Sequence, residues 1–341
     1  MLGPGRESLT MAERLQRAWL QRGALACLLW PLSLVFGALA ALRRGAYRIG
    51  LLRRRRVAVP VIVVGSVVVG GSGKTPVVMA LVEHLRSRGL APGVISRGYG
   101  RTTQDCREVR PVSEAHEVGD EPLLIARACG VPVFVAPDRI EAARALLKAY
   151  PATQVIVCDD GLQHYGLQRD IEICVFDERG IGNGWLLPAG PLREPWPRAA
   201  DLVLRAGDAS GIPGFDVKRR LASQARRGDG ARTPLAALQG RPLKAVAGIA
   251  KPEAFFAMLR EAGLQLEQTV SLPDHHDFRA HPVKPAGMDL VCTQKDAVKL
   301  WRLQPQAWAV PLELDIGPQF WNALDRLIDA KLSSAHGSQT A

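Results

Sequence analysis

The chain of 341 residues lacks the features that define several common protein classes. Its six cysteines are scattered and form no Cys-x-x-Cys pair, which argues against a zinc site and against a disulfide framework. Several lie in apolar, strand-like segments, as expected of buried thiols in a reducing compartment. No low-complexity tract indicates extensive disorder, so the sequence predicts a globular protein of about two domains.

Acidic residues are fewer than basic ones, and this balance limits the partners. The 33 acidic and 44 basic side chains give a net charge of +11, which suits nucleic acid, anionic lipid or a phosphorylated substrate. Much of the basic excess flanks one apolar segment near the N-terminus. No aromatic-interleaved basic patch, finger spacing or recognition helix occurs elsewhere, so the distribution argues against nucleic acid.

The segment 24–42 contains no charged residue, and its nineteen residues approach the roughly 20 that a helix needs to span a bilayer. It could be a cleaved signal peptide, a helix of a soluble core or a membrane anchor. The arginines after it (Arg43, Arg44, Arg48 and 53–56) would hinder export and suit anionic lipid, so we expect an anchor that spans or lies in the membrane. The larger basic flank is C-terminal, which predicts a cytoplasmic protein body.

A run of β-branched residues from Val61 leads into the glycine-rich sequence 70–75, and a helix-like segment follows at once. Such a turn cradles phosphates because its backbone N–H groups point into the loop. Lys74 could reach the terminal phosphates, and the Thr75 hydroxyl could ligate Mg²⁺. The full pattern has glycine where this chain has Val68, and an ordinary glycine turn is the alternative. The residues predicted around the phosphates are Val68, Val69, Gly70, Gly71, Ser72, Gly73, Lys74 and Thr75.

The rest of the chain alternates strand-like and helix-like segments, which predicts a parallel sheet covered by helices. We expect an apolar membrane-anchor segment (1–44), a P-loop nucleotide-binding domain (45–206), a linker with some hairpin character (207–241) and a C-terminal α/β domain (242–341). The predicted fold class is α/β, with a P-loop parallel-sheet domain, a second smaller α/β domain and an N-terminal membrane-associated helix. Ligands are expected at the carboxyl ends of the strands.

Two acids, Asp159 and Asp160, end a buried strand that begins near Val155. In nucleotide-binding sheets an acid at such a tip holds Mg²⁺, directly or through water, beside the hydroxyl of the phosphate loop. The alternative is turn formation, since Asp160 precedes a glycine. His164 follows on the same tip, where a lone histidine is more often structural.

Other polar motifs allow both a chemical and a structural interpretation. Asp120 precedes an apolar helix, either as its N-cap or as a carboxylate that accepts the proton of an attacking hydroxyl. The segment 274–278 (Asp-His-His-Asp-Phe) could orient a base, bind a metal or form a solvated loop. Arg97 lies at a strand tip that suits phosphate contact. Arg193 could clamp an anionic group, or pair with Glu194 within its loop.

In this order, the motifs resemble the tetraacyldisaccharide 4′-kinase family of lipid A biosynthesis. Each motif alone is weak, but the ordered set is highly specific. The resemblance extends from the N-terminal apolar segment to about Leu314, and the family's phosphate loop also lacks the first glycine. Its strongest segments are Gly70–Pro76, Ser96–Gly100, Gly119–Pro122, Asp159–His164, Leu187–Pro195, Pro273–Phe278 and Thr293–Leu300.

The resemblance implies a P-loop kinase-like fold of two α/β domains and a bacterial enzyme on the cytoplasmic face of the inner membrane. It implies transfer of the γ-phosphate of ATP, with Mg²⁺, to the 4′-hydroxyl of a tetraacylated glucosamine disaccharide 1-phosphate. We infer contact with anionic membrane lipid, no nucleic acid and no obligate protein partner. The alternatives are a membrane-associated ATPase switch and a nucleotide-binding adaptor without turnover.

The resemblance also implies roles for individual residues. Asp120 is similar to the family's catalytic base and His275 to its partner, which would place the site in a cleft that closes when both substrates bind. His276 stands where the family often has an aromatic residue, and we expect His275 to act because it directly follows Asp274. Lys74 and Thr75 match the phosphate and metal residues, Asp159, Asp160 and His164 the second acidic cluster, and Arg193 and Glu194 the acceptor loop. We expect Arg97, His164, Arg193 and Glu194 to contact the acceptor.

Overall fold

The structure, a computed structural model, describes residues 11–207, 211–279, 282–285 and 287–337. Helices and strands alternate, and the predicted α/β fold class is confirmed. The helices are α1 (Met11–Ala18), α2 (Ala24–Arg48), α3 (Lys74–Ser87), α4 (Ala115–Val118), α5 (Asp120–Cys129), α6 (Arg139–Ala149), α7 (Pro252–Glu261), α8 (Gln294–Leu300) and α9 (Pro318–Gly337). The strands are β1 (Val61–Gly65), β2 (Pro92–Ser96), β3 (Arg107–Glu108), β4 (Val133–Val135), β5 (Val155–Asp159), β6 (Ile171–Phe176), β7 (Leu202–Ala206), β8 (Phe215–Leu221), β9 (Gln224–Arg226), β10 (Arg232–Pro234), β11 (Leu243–Ala247), β12 (Leu266–Ser271), β13 (Asp289–Thr293), β14 (Trp308–Val310) and β15 (Leu312–Ile316).

The larger sheet brings the predicted motifs to one edge. In the part of the chain that is described, it has nine strands in the order β15-β8-β7-β6-β1-β5-β2-β4-β3. The strands from β8 to β4 run parallel, while β15 and β3 pair antiparallel at the two edges. β1 and β5 are buried along their whole length, as parallel strands covered on both faces require. The loops after β1, β2, β5 and β6 therefore lie side by side.

Different elements cover the two faces of this sheet. Helices α3, α5 and α9 pack on one face, with buried side chains such as Leu81, Leu123 and Phe320 in a common core. On the other face α6 packs beside two segments, 160–170 and 177–201, that join strands without a helix. The helix α2 lies against the second segment, because the Ser33 hydroxyl donates to the Leu186 carbonyl at 2.8 Å.

The helix α2 covers the predicted anchor and extends six residues beyond it. Its 25 residues include a stretch of mean hydropathy 2.2 of which only 11% is buried. Leu28, Leu39 and Leu42 are 75%, 63% and 72% exposed. This exposure disfavours the interpretation as a core helix of a soluble protein. By length and composition α2 can cross a membrane, which by itself is weak evidence of membrane association.

The smaller sheet has the order β10-β9-β14-β13-β11-β12 within the described residues. Strands β12, β11, β13 and β14 run parallel, and β9 joins β14 antiparallel. Phe256 and Leu259 of α7 pack against this sheet in a separate core. The helix α8 follows β13 directly, with the Thr293 hydroxyl accepting the Asp296 backbone N–H as its N-cap.

The predicted linker (207–241) and C-terminal domain (242–341) need correction. Strand β8 belongs to the larger sheet and β9 to the smaller one, so the chain crosses between the lobes at residues 222–223. The apolar segment Trp308–Leu314 is divided between two strands in different sheets, which are separated by Pro311, a residue with no N–H to continue a ladder. After it, β15 and α9 return to the larger lobe. The chain thus crosses between the lobes twice, once between β8 and β9 and once between β14 and β15.

Candidate active site

The phosphate loop lies between β1 and α3 and has the backbone that its glycines predict. Gly70 and Gly73 have φ angles of +95° and +79°, the left-handed region that side chains disfavour. Val68, at the position of the missing glycine, is buried, and its backbone forms an isolated bridge with Leu192. The Val69 N–H donates to the Pro191 carbonyl at 2.9 Å. This pairing explains why valine is accommodated where the full pattern has glycine.

Lys74 and Thr75 occupy the first turn of α3. The Lys74 Nζ lies 3.6 Å from Asp160 Oδ1 and donates to Ser72 Oγ at 3.4 Å. Thr75 is buried. The lysine therefore links the phosphate loop to the acidic tip of β5, as expected if both serve the same phosphates.

The acidic tip of β5 contains two carboxylates in contrasting environments. Burial, followed by the nearby Glu121 and Asp160 charges, raises the pKa of Asp159 to about 7. Burial also opposes ionisation of Asp160, but the Lys74 and Arg193 charges outweigh it and lower the pKa of Asp160. The Asp159 Oδ1 is shielded and has no hydrogen-bond partner among the described residues. A cation at this tip would satisfy that atom and relieve the repulsion between the acids.

Magnesium fits this donor set. Within residues 11–207, 211–279, 282–285 and 287–337, no group of three or more His, Cys, Asp or Glu side chains forms a metal cage. Mg²⁺ usually binds to one or two carboxylates and completes its shell with substrate phosphates and water. Asp159, Asp160 and the Thr75 hydroxyl match that requirement.

Asp120 begins α5 and faces the other lobe. The N-cap of α5 is Gly119, and the Asp120 side chain makes no capping bond, so the N-cap interpretation is wrong. Its Oδ2 lies 2.9 Å from His275 Nδ1 and accepts a bond from Lys299 Nζ at 2.8 Å. A carboxylate can only accept, so Nδ1 carries the proton. Burial raises the pKa of Asp120, but the two hydrogen bonds outweigh burial and lower it overall.

The two neighbouring histidines have different environments. His275 adopts a left-handed backbone, with φ +62°, and its ring lies 5.6 Å from that of Tyr99. His276 is buried, and its ring meets Phe278 edge-on at 5.0 Å. The histidine in contact with Asp120 is therefore His275, as expected from its place after Asp274.

Two lysines that cross the cleft were not identified from the sequence. Lys295 and Lys299 are one turn apart on α8, so they project from the same face of that helix. The Lys295 Nζ lies 3.0 Å from an Asp274 oxygen and 3.5 Å from a Glu121 oxygen. Burial opposes the charge of Lys295, but these two acids outweigh it and raise its pKa. The sequence feature that could have identified them is the four-residue spacing of two lysines directly after the end of a strand.

The predicted acceptor residues are only partly brought together. The Arg193 Nη1 lies 3.0 Å and 3.1 Å from the two Asp160 oxygens, whereas Glu194 accepts from Gln163 Nε2 at 2.9 Å. The predicted alternative of an Arg193–Glu194 pair is thus wrong.

Two further predicted residues, His164 and Arg97, make no hydrogen bond to Asp159 or Asp160 within the described residues. The His164 Nε2 lies 3.2 Å from Asp138, the N-cap of α6, rather than beside Asp159 or Asp160. Arg97 is exposed at the carboxyl end of β2. Their contact with an acceptor stays a prediction.

A second group of charges approaches the phosphate loop from β6, β8 and the smaller lobe. The Arg219 Nη2 donates to the Ser72 carbonyl at 3.4 Å, and Arg219 pairs with Glu178 at 3.1 Å. Lys251 pairs with the buried Asp177 at 3.2 Å. These residues were also missed. The sequence feature that could have identified them is the pair of acids, Asp177 and Glu178, that directly follows β6, much as Asp159 and Asp160 lie at the end of β5.

A loop that can cradle phosphates and a carboxylate that can accept a proton lie at the same edge of the larger sheet, and together they provide what phosphoryl transfer to a hydroxyl requires. Fold and site therefore define a kinase of the P-loop class. Residues 25–329 match the family model described as LpxK, tetraacyldisaccharide-1-P 4′-kinase. The chain belongs to this family.

Relatives and a solved structure agree with this assignment. The chain is 60% identical over 339 residues to the tetraacyldisaccharide 4′-kinase of Acidovorax sp. (strain JS42), covering 98% of this chain and all of that protein. It is 54% identical to the tetraacyldisaccharide 4′-kinase of Delftia acidovorans, covering 96% and 98% of the two chains. The crystal structure of LpxK from Aquifex aeolicus in complex with ATP superposes with a TM-score of 0.79 at 28% identity, covering 89% of this chain and 99% of that one.

The contact between Lys299 and Asp120 predicts a measurable change in ionisation. In Lys299→Met, we expect the pKa of Asp120 to rise, because burial is then opposed by His275 alone. A depressed carboxyl pKa stabilises the fold above its unfolded value and loses that effect as the pH falls through the folded value. Titration of the ¹³C-labelled Asp120 carboxyl measures the shift. Lys148→Met on α6 is the control, and an equal pKa of Asp120 in both variants would contradict the assignment.

Proposed function

We propose that the protein transfers the γ-phosphate of ATP to the 4′-hydroxyl of a tetraacylated glucosamine disaccharide 1-phosphate. The observation that carries this proposal is the Asp120 carboxylate, which His275 and Lys299 of the opposite lobe hold at the same edge of the larger sheet as the phosphate loop. The family description and the names of the relatives support the acceptor, and the ATP complex of the Aquifex aeolicus protein supports the donor.

In this reaction Asp120 acts as the general base. Its Oδ2 already accepts the bonds from His275 and Lys299, which leaves Oδ1 for the proton of the 4′-hydroxyl. As the 4′ oxygen bonds to the γ-phosphorus, the bond from that phosphorus to the β–γ bridging oxygen breaks and ADP leaves. The low pKa of Asp120 keeps the carboxylate ionised to receive the proton.

The phosphate side of the site stabilises the charge that develops during transfer. The backbone N–H groups of residues 70–75 bind the phosphate oxygens, and Lys74 approaches the β- and γ-phosphates. Asp159, Asp160 and Thr75 would hold Mg²⁺, which neutralises charge on the β- and γ-phosphate oxygens when it is bound. Arg193 is already paired with Asp160. To bind an anionic group of the acceptor, it would have to leave Asp160.

The exposed apolar surface of α2 supports membrane association. An acylated acceptor stays in the bilayer, so an enzyme that shares that surface meets it without extracting it. The arginines that follow the apolar stretch suit the anionic lipid of the cytoplasmic leaflet. We therefore place the protein on the cytoplasmic face of the bacterial inner membrane.

The direct test incubates purified protein with γ-³²P-ATP, Mg²⁺ and the acylated disaccharide 1-phosphate. We expect label in the lipid fraction, at the 4′ position. Label that appears only as water-soluble phosphate would indicate an ATPase and contradict the proposal. ATP binding without release or transfer of label would indicate a nucleotide-binding adaptor instead.

The roles of the two histidines predict different defects. Asp120→Asn and His275→Ala should each lower kcat by about 10²–10⁴-fold, the usual contribution of a general base and its support, with ATP affinity almost unchanged. His276→Ala is the matched control, and it should mainly lower thermal stability because His276 is buried beside Phe278. A larger loss of kcat in His276→Ala than in His275→Ala would show that His276, rather than His275, is the partner of the base.

The exposed face of α2 predicts how the protein is recruited. Introducing glutamate at both Leu28 and Leu39 should release most of the protein from vesicles, because each charge would enter the acyl region. Leu51→Glu, at a residue that is 75% exposed outside α2, is the control and should bind like the parent. Co-sedimentation with liposomes measures the difference. Full retention of the doubly substituted protein would place the main anchor elsewhere.

A further inference from the structure

Arg179, in the turn that follows β6, lies against the phosphate loop. Its Nη1 and Nη2 atoms lie 3.3 Å and 3.4 Å from the point where a Cβ atom on Gly70 would sit. Gly70 is the first residue of the glycine-rich sequence 70–75, and its φ angle is +95°. A side chain at this position would crowd the guanidinium, so the glycine gives Arg179 close access to a backbone that can bind phosphate.

A buried carboxylate fixes the position of this guanidinium. The Arg179 Nε donates to the two oxygens of Asp177 at 3.1 Å and 2.9 Å, and the Arg179 backbone N–H donates to Asp177 Oδ1 at 3.1 Å. The Asp177 side chain is only 1% exposed. The arginine is thus anchored through Nε and its own backbone, at the end of the side chain that is nearer the main chain.

The far end of the guanidinium contains an N–H group without an acceptor. The Arg179 Nη2 is shielded from solvent and has no hydrogen-bond partner in the described part of the chain. Such a group is costly to bury, and a phosphate oxygen would supply the acceptor that it lacks. Guanidinium groups bind phosphate oxygens through charge-assisted hydrogen bonds, which are among the stronger ones in proteins.

The order of the strands places Arg179 across the phosphate loop from the acidic tip of β5. In the larger sheet β1 lies between β6 and β5, so the ends of both strands flank the loop that follows β1. The acids at the end of β5 favour a cation. The ion-paired cluster at the end of β6 instead has a net charge of +1. It consists of Arg179, Arg219 and Lys251 with Asp177 and Glu178.

Arg219, the second arginine of this cluster, contacts the loop in a different way. Its Nη2 donates to the Ser72 carbonyl at 3.4 Å. The N–H groups of a phosphate loop face the anion, and a carbonyl oxygen would repel one. The bond from Arg219 therefore supports the backbone of the loop. Of the two arginines, Arg179 is the one with a shielded N–H that still lacks an acceptor within the described residues.

We propose that Arg179 is a further catalytic residue, which binds an oxygen of the transferred γ-phosphate and stabilises the negative charge that develops there. This inference rests on the proposed function and assigns one more residue to the nucleotide side of the same site. An arginine of the same chain has this role in some other P-loop enzymes. Asp177 holds the guanidinium in place in advance, so little reorganisation is needed during transfer.

The test separates binding of the nucleotide from stabilisation of the transferring group. It measures kcat, KM for ATP, and the affinities for ADP and for ADP with aluminium fluoride, a mimic of the transferring phosphoryl group, all with Mg²⁺ and the acceptor. In Arg179→Ala, kcat should fall about 10²–10³-fold with KM for ATP almost unchanged. Affinity for the mimic should fall about tenfold or more, whereas affinity for ADP should stay at the parent value.

Two further measurements and a matched control accompany this variant. Arg179→Lys should retain part of kcat, because it keeps the charge but loses the planar fork. Dilute guanidinium chloride should restore part of kcat to Arg179→Ala, which a misfolded variant would not allow. The control is Arg205→Ala. Arg205 lies in the next strand, β7, and is likewise paired with an acid, Asp216, at 2.7 Å, so its removal should leave kcat at the parent value.

Each alternative outcome overturns the inference. An equal loss of affinity for ADP and for the mimic would show that Arg179 only supports the loop. Unchanged kcat in Arg179→Ala, or the same fall in Arg205→Ala, would show that the reaction does not depend on this guanidinium. If Arg179→Ala lowers the melting temperature, Arg179→Lys decides the result, and it should bind the mimic more weakly than the parent while binding ADP equally well.

The same experiment separates this inference from the proposed function. If the parent protein transfers no phosphate to the acceptor, the proposed function itself fails. If it transfers phosphate and the Arg179 variants match the parent in kcat and in affinity for the mimic, only the assignment of Arg179 fails.

Discussion

The hydrogen-bonded contact of Asp120 with His275 and Lys299 is the interaction on which the candidate site depends. The carboxylate belongs to the larger lobe, and both donors come from the smaller one. Burial alone would favour the neutral acid, which cannot accept a proton, and the donors reverse that preference. The base is therefore complete only when the two lobes are together.

Other charges in the cleft follow the same principle. Lys295 pairs with Glu121 across the cleft and with Asp274 of its own lobe, and Lys74 pairs with Asp160 within the larger lobe. Asp159 is the exception, because its pKa is raised and one of its oxygens has no partner among the described residues. A cation that binds together with the nucleotide would supply the positive charge that Asp159 lacks. The charges between the two lobes are thus paired, whereas the part of the site that faces the nucleotide keeps an excess of negative charge.

The sequence was informative where chemistry depends on local order. The glycine loop, the acids after β5 and the choice of His275 over His276 followed from motifs, and the α/β class followed from alternation. The sequence was less informative about contacts between segments that are far apart in the chain. The return of β15 and α9 to the larger lobe depends on an edge pairing with β8 that no local pattern indicates. Lys299 was missed because a lysine on a helix is usually solvated, and only the docking of the lobes brings it to Asp120.

A double-mutant cycle on kcat tests most directly the claim that Asp120 and His275 act as one unit across the cleft. It compares the parent, Asp120→Asn, His275→Ala and the double variant in lipid phosphorylation. If the histidine works only through the carboxylate, the double variant should lose about as much kcat as the more damaged single variant. Losses that multiply would show that the two residues act independently, and would contradict the account.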